Sequence, residues 1–205
     1  MIKDKLIISI YDLTGNWVEQ YIKAGYPVIL WDKKVEGCIL EGLTRLMLMV
    51  EATGLKVHGL FAATPCTDFA SSGARWFTGK DKKQPGYEPF DSTTELSVGL
   101  ALIILHLVDI FKPDFWVMEN PVGRLETLVP EIKPYRKFSF DPCDFGDPYT
   151  KKTILWGEFN ANLTYNNVFP LYGSMMHNIT PGPKRQEIRS ATPKGFSKAF
   201  FQANL

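Results

Sequence analysis

The stretch VHGLFAATPCTDFASSG, residues 57–73, decides how the chain is read. Its first six residues, Val57 to Ala62, form a short apolar run of strand length. The polar remainder, closed by two serines and a glycine, reads as the loop that this strand delivers at its carboxyl end. Pro65 and Cys66 open that loop. A free cysteine is most often inert packing. Here it stands at a strand end and is followed by Thr67 and Asp68, so a nucleophile is the competing reading.

The same alternation extends in both directions. Upstream, KLIISIY (5–11) reads as a strand, followed by a glycine-containing turn and a helix from about Trp17 to Ala24. PVILW (27–31) is a second strand ending at Asp32. A helix from about Gly37 to Ala52 follows, with Leu40, Leu43, Met47 and Val50 at helical spacing. Downstream, residues 73–91 read as a long polar loop, and STTE (92–95) is a capping-box pattern that opens an apolar helix. DFWVM (114–118) is the next strand and runs into ENPVG. KFSFD and KTILWG form a late pair of strands. Strand and helix in alternation imply an α/β domain whose sheet is mainly parallel and covered by helices on both faces.

In such sheets ligands bind beyond the carboxyl ends of the strands. Four stretches converge there: YDLTGN after the first strand, Asp32 after the second, Pro65 and Cys66 after the third, Glu119 and Asn120 after the fourth. Gly15 is either a plain tight turn or a point where backbone N–H groups approach a ligand. Asp32 is either a solvated strand end or an acceptor for a ribose diol. Glu119 is either structurally paired or kept for proton transfer, and ENP also suits a plain strand exit.

Composition sets the outer bounds. The chain has 205 residues, 45% hydrophobic and 22% charged, enough for one globular domain with a real core. A net charge of +1 means that any grip on nucleic acid comes from a local patch. The three cysteines are far apart and odd in number, which fits a reducing, cytoplasmic setting and no disulfide framework. None sits at zinc-ligand spacing, so no metal is expected. The apolar stretch at the N-terminus is too short for a signal peptide. The longest apolar run, VGLALIILHLV (98–108), is about half of what a membrane span needs and reads as a buried helix, so no membrane is expected. His58, His106 and His177 are scattered and are assigned no chemistry.

Strand-Asp-x-x-Gly, strand-Asp, PC, ENP and FGDPYTKKTILWG, in that order, resemble the cytosine-5 DNA methyltransferases. PCTDFASSG is similar to their catalytic Pro-Cys loop and MENPVG to their Glu-Asn motif. FGDPYTKKTILWG is similar to their G-x-P-Q-x-R-x-R segment, and RSATPKGFSKAFFQAN to their closing helix. The resemblance covers nearly all of the chain and implies a single-domain, Rossmann-like class I fold binding S-adenosylmethionine. It implies cofactor contacts at Asp12, Leu13, Thr14, Gly15, Asn16, Trp17, Asp32, Lys33 and Pro65. It implies Cys66 as the nucleophile that adds to carbon 6 of cytosine, and Glu119 as the acid that protonates ring nitrogen 3. Asn120 and Pro121 shape the loop beneath the base. Arg75, Lys80, Lys82 and Lys83, with Lys151, are either phosphate contacts closing over a flipped cytosine or a solvated surface.

The chain departs from the family pattern in several places. Asn16 and Trp17 stand where a second glycine is common. Tyr149 replaces glutamine, Lys151 stands for the first arginine and Thr153 for the second. The acidic residue expected after a third strand near the adenine has no clear counterpart, and that strand is expected to be missing. Only residues 159–188, loop-rich, separate the last strand from the closing segment 189–205, where the family inserts a target-recognition domain. Low specificity, or specificity supplied by a protein partner, follows. RNA or a free pyrimidine nucleotide is an alternative substrate. A catalytically impaired scaffold with the same fold is the alternative from a different class.

Overall fold

The computed structural model describes residues 3–175, 179–180, 182 and 185–205. His177 and part of the 159–188 stretch lie outside the described residues. Alternating side chains give the strands two dry faces. In β1 (Lys5–Ile10), Leu6, Ile8 and Ile10 enter one core while Ile7 enters the other. With β2 (Val28–Trp31), β3 (Lys56–Ala63), β4 (Phe115–Pro121), β5 (Arg136–Phe140) and β6 (Thr153–Glu158), β1 forms one sheet in the order β2-β1-β3-β4-β6-β5.

Four strands, β2, β1, β3 and β4, are parallel. The mainly parallel sheet expected from the alternation has an antiparallel end: β6 runs antiparallel to both β4 and β5. Between β5 and β6 the chain makes only a short 3₁₀ turn at Pro142–Asp144, with no crossover helix to turn it parallel, so it returns antiparallel. β2 is the edge strand on its side, so no further strand follows it among the described residues. Because the chain leaves β1 for β2 on one side and then crosses to β3 on the other, the strand order reverses at β1/β3. That crevice is where open α/β sheets place their ligands.

One face is covered by α3 (Ile39–Thr53) and α5 (Thr93–Phe111), the other by α1 (Glu19–Lys23) and the closing helix α8 (Lys194–Ala203). The helix expected from about Gly37 to Ala52 is α3, and a short α2 (Lys33–Glu36), capped by Asp32, precedes it across a break at Gly37. The buried stripe of α3 is Ile39, Leu46 and Val50, so Met47, expected to face inward, is exposed. Gly42 is required on α3 because a Cβ there would lie 2.2 Å from the Trp31 ring. In α5 the cap is as expected, with Ser92 accepting from the Glu95 N–H. The helix is longer than its apolar run, and it buries only a narrow stripe of Thr94, Ser97, Ala101, Ile104 and Leu107. By length and apolarity alone it is long enough to cross a membrane, which corrects the expectation of a short, fully buried helix. Here it packs one side on the sheet. On the opposite face an aromatic cluster ties α8 down: Phe140 stacks on Phe196 at 3.9 Å, and Trp17 meets Phe61 and Phe200 edge-on.

Candidate active site at the carboxyl edge of the sheet

Register brings the nucleophile and acid candidates together. Ala63, the last residue of β3, pairs with Glu119 on β4. Cys66 therefore leaves its strand beside the strand that carries Glu119. The two exits are then bonded along their length. Asn120, 0% exposed, donates through Nδ2 to the carbonyl and hydroxyl of Thr64 (3.0 and 3.1 Å). The Thr64 hydroxyl donates to the Glu119 carbonyl at 3.3 Å. Further out, the Ser71 N–H donates to the Val122 carbonyl (2.9 Å) and the Arg124 N–H to that of Phe69 (2.8 Å). Gly123 lies between them, so close that a Cβ would sit 1.8 Å from the Phe69 oxygen. The Pro-Cys loop and the ENPVG loop form a single zipped unit.

Asp68 and Arg124 fasten that unit to the helices. The buried Asp68 carboxylate accepts from Ser97 on α5 (2.8 Å) and from Thr93 (3.2 Å), and Lys80 lies 3.2 Å away. Arg124 donates through Nε to the Asp68 carbonyl (2.9 Å) and bidentately to Asp81 (2.7 Å to each oxygen). Its guanidinium also lies over the Phe77 ring at 3.6 Å.

β6 adds the cation. Thr153 pairs with Pro121 at the end of β4, so Lys151, two residues earlier, stands just beyond the carboxyl edge. Its backbone N–H is held by Asp141 at 2.9 Å. Burial raises the Glu119 carboxyl above the ordinary carboxylate range; the charge of Lys151 opposes this and that of Asp12 adds to it. Cys66 is exposed at the surface of its loop while packed protein crowds its other side. That crowding, followed by the charge of Glu119, raises its thiol, and Lys151 and Arg189 oppose the shift. A protonated Glu119 no longer adds to the rise of the thiol, so Lys151 and Arg189 are then opposed by burial alone. Arg189, on α7 (Arg185–Ser190), was not singled out in the sequence; its only signal is a place just before the closing helix.

The cofactor candidates divide. Gly15 adopts φ +64°, and the Asp12 carboxylate holds the turn by accepting from the Gly15 N–H (3.0 Å), Thr14 (3.1 Å) and Ser9 (3.3 Å). Asp12 is therefore committed to shaping the turn. Trp17, expected beside the cofactor, is 1% exposed and packed into the aromatic core, so its ring has no surface to offer a ligand. The closing helix does return to this turn, through Ser197 Oγ donating to the Asn16 and Trp17 carbonyls (2.9 and 3.0 Å). Asp32 gives one oxygen to the Lys34 N–H (2.9 Å), and the other oxygen has no partner among the described residues. Lys33 is exposed beside it. A glycine turn held by Asp12 at the exit of β1, with Gly15 itself buried against Leu30, and a strand-end carboxylate with one oxygen to spare fit a nucleoside-bearing cofactor across β1 and β2.

The expected phosphate-contacting loop is less uniform than its sequence. Lys80 turns inward and donates to the Thr67 carbonyl, and Lys83 pairs with Asp91 at 2.7 Å. Arg75 lies over the Trp76 ring, and Lys82 has no ion-pair partner among the described residues. Lys80 is therefore a tie for the Cys66 loop, and Arg75 and Lys82 remain available. Two open depressions lie elsewhere, one of about 600 Å³ at the amino edge near His58 and Asp114, one of about 400 Å³ beside α8. Neither includes Cys66 or Glu119.

No protein-family model and no curated protein matches the chain. Among solved structures it is similar to a protein described as a DNA modification methyltransferase encoded within an E. coli prophage (TM-score 0.48, 13% identity, 79% of this chain and 49% of that one). It is also similar to the Entamoeba histolytica methyltransferase EhMeth (0.48, 14%, 88% and 61%). A third is Spodoptera frugiperda DNMT2 (0.44, 15%, 80% and 53%). The chain spans about half to three fifths of the length of these proteins. At such identities and TM-scores the likenesses decide neither chemistry nor substrate, which rest on the residues of the site.

Proposed function

We propose that the chain transfers a methyl group from S-adenosylmethionine to carbon 5 of cytosine in DNA. One observation carries the reading: a thiol and a carboxyl of raised pKa are delivered by adjacent parallel strands at the carboxyl edge, on two loops bonded into one unit. Carbon 5 of cytosine is a weak nucleophile. Glu119, holding its proton, protonates ring nitrogen 3 and withdraws electron density from carbon 6. The Cys66 sulfur then adds to carbon 6, its electron pair forming the C–S bond while the ring π electrons shift to make carbon 5 an enamine carbon; after carbon 5 is methylated, loss of its proton to solvent breaks the C–S bond and returns the sulfur as thiolate. Lys151 and Arg189 stabilise the attacking thiolate. Asn120 keeps the Cys66 loop at fixed height above Glu119 through Thr64. Gly15 and Asp32 would hold the cofactor, which supplies the methyl group when bound.

The test is transfer of labelled methyl to duplex DNA, single-stranded DNA, RNA and dCMP, run in parallel with wild-type and Cys66→Ala protein. Label in cytosine carbon 5 with wild type only is the expected result. Transfer by Cys66→Ala at the wild-type rate contradicts the mechanism. A soluble protein of the reducing cytoplasm, with specificity short or partner-supplied, is part of the same proposal.

A further inference from the structure

The edge that carries Cys66 also carries exposed aromatic rings interleaved with unpaired cations. The strip from Leu163 to Gly173 runs along residues 143–150, bonded by the Val168 N–H to the Cys143 carbonyl (2.9 Å), the Tyr172 N–H to Pro148 (3.0 Å) and the Thr150 N–H to Gly173 (2.8 Å). These bonds set Tyr172 against residues 148–150, directly before Lys151, with Phe169 three residues earlier on the same strip. Phe169 is 77% and Tyr172 63% exposed. On the other side, Ser71 is bonded to Val122, and the turn that starts there ends at Trp76, 60% exposed, with Arg75 over its ring at 5.2 Å.

A single exposed apolar side chain needs no explanation. Three large rings, one on the segment that follows Cys66 and two on the strip beside residues 148–150, do, because each leaves an aromatic face in water. Arg75, Lys82, Lys151 and Arg189 form no ion pair among the described residues, so cations free to meet phosphate accompany these rings. Aromatic faces for stacking, spaced among free cations, match a polynucleotide whose bases are unpaired, since a duplex hides its base faces within its own stack. We propose that Trp76, Phe169 and Tyr172 are a stacking platform for single-stranded nucleic acid, which threads the target base past Cys66 while its neighbours stack on either side. The proposal rests on the reading of Cys66 as the nucleophile only for its statement of what passes the thiol. The platform itself is independent of the chemistry.

The test is fluorescence anisotropy with full-length Cys66→Ala protein and no cofactor, so that methyl transfer plays no part in the readout. The probes are short labelled strands of equal phosphate count: oligo-dT, oligo-U, a blunt DNA duplex, and an abasic deoxyribose-phosphate strand. The single strands should bind more tightly than the duplex and the abasic strand. Trp76→Ala, Phe169→Ala and Tyr172→Ala should each weaken binding of the base-bearing strands by about fivefold or more, at the lower end of what one stacked base contributes. Binding of the abasic strand should not change. Thermal melts confirm that these surface variants stay folded. A preference between oligo-dT and oligo-U reports the 2′-hydroxyl and the base methyl together; either preference supports the platform. Equal affinity for the abasic strand, duplex binding as tight as single-strand binding, or three variants with wild-type affinity each overturns it. Stacking without methyl transfer in the wild-type protein contradicts the reaction and leaves the platform standing, whereas methyl transfer without stacking does the reverse.

Discussion

Replacing Gly123 with alanine tests whether the two loops act as one unit. The backbone of Gly123 is outside the left-handed region, so the added methyl group meets only a steric obstacle. Its Cβ would fall 1.8 Å from the Phe69 oxygen, 2.6 Å from the Phe69 carbonyl carbon and 2.9 Å from Ala70 Cα, all backbone atoms that no rotamer change can clear. Reaching an ordinary contact of about 3.4 Å from 1.8 Å requires the loops to part by about 1.6 Å. That movement breaks the Arg124 N–H to Phe69 and Ser71 N–H to Val122 bonds. Overpacking costs about 1–3 kcal/mol and each of the two lost bonds about 0.5–1.5, so we expect a loss of about 2–6 kcal/mol in urea melts. A displacement near 1 Å at a reacting group lowers the rate by about 100-fold. In single-turnover methyl transfer, Gly123→Ala should therefore lose about two orders of magnitude. S-adenosylmethionine affinity should change little, because Gly15 and Asp32 lie on other strand exits. Wild-type turnover in a destabilised variant would refute the positioning role of the zipped loops, and wild-type stability would refute the steric argument itself.

Glu119→Gln should lower turnover by about 10²–10⁴, the usual contribution of a positioned acid. It should also change how stability depends on pH. Because burial raises the Glu119 carboxyl, the wild-type fold loses stability as pH rises from the ordinary carboxylate range through that raised value. The neutral amide has no such loss, so its Tm should match wild type at low pH and exceed it near neutrality; parallel Tm curves would contradict the assigned environment. Asp32→Ala should weaken S-adenosylmethionine binding by about 1.5–3 kcal/mol, the scale of hydrogen bonds to a charged acceptor. Unchanged calorimetric affinity would mean that the ribose is held elsewhere. Because Asp32 also caps α2, the serine variant, which retains a cap, separates the two effects.

The strand exits were legible in the sequence because apolar runs of strand length and the polar residues that end them are local signals. VHGLFA and DFWVM each deliver their loop where the alternation places it, and β3 and β4 are neighbours as βαβ succession implies. What the sequence hid is set by contacts distant along the chain. Trp17 reads as a free ring after a glycine turn, and only the arrival of Phe196 and Phe200, some 180 residues later, makes it core. Lys80, Lys82 and Lys83 look alike in sequence; the folded loop turns one inward to Thr67, leaves one free and pairs one with Asp91. On α3, Val50 and Leu43 face the core as the spacing reads, but Ile39 and Leu46 carry more of the burial and Met47 is exposed. Arg124 and Asp68 hold the site together, yet neither lies in a pattern that distinguishes it from a solvated charge. The antiparallel return of β6 depends on a connection whose handedness no hydrophobic period encodes.

Every role proposed for the site depends on Cys66 bonding covalently to a pyrimidine. A cytosine bearing fluorine at carbon 5 blocks the elimination that would release the enzyme, so the adduct accumulates. Wild-type protein, S-adenosylmethionine and a 5-fluorocytosine oligonucleotide should give a denaturation-stable complex, with mass spectrometry placing the nucleotide and one added methyl group on the peptide that contains Cys66. Cys66→Ala should give none. A complex attached through Cys38 or Cys143, or none from protein shown to bind both ligands, would contradict the assignment of the nucleophile.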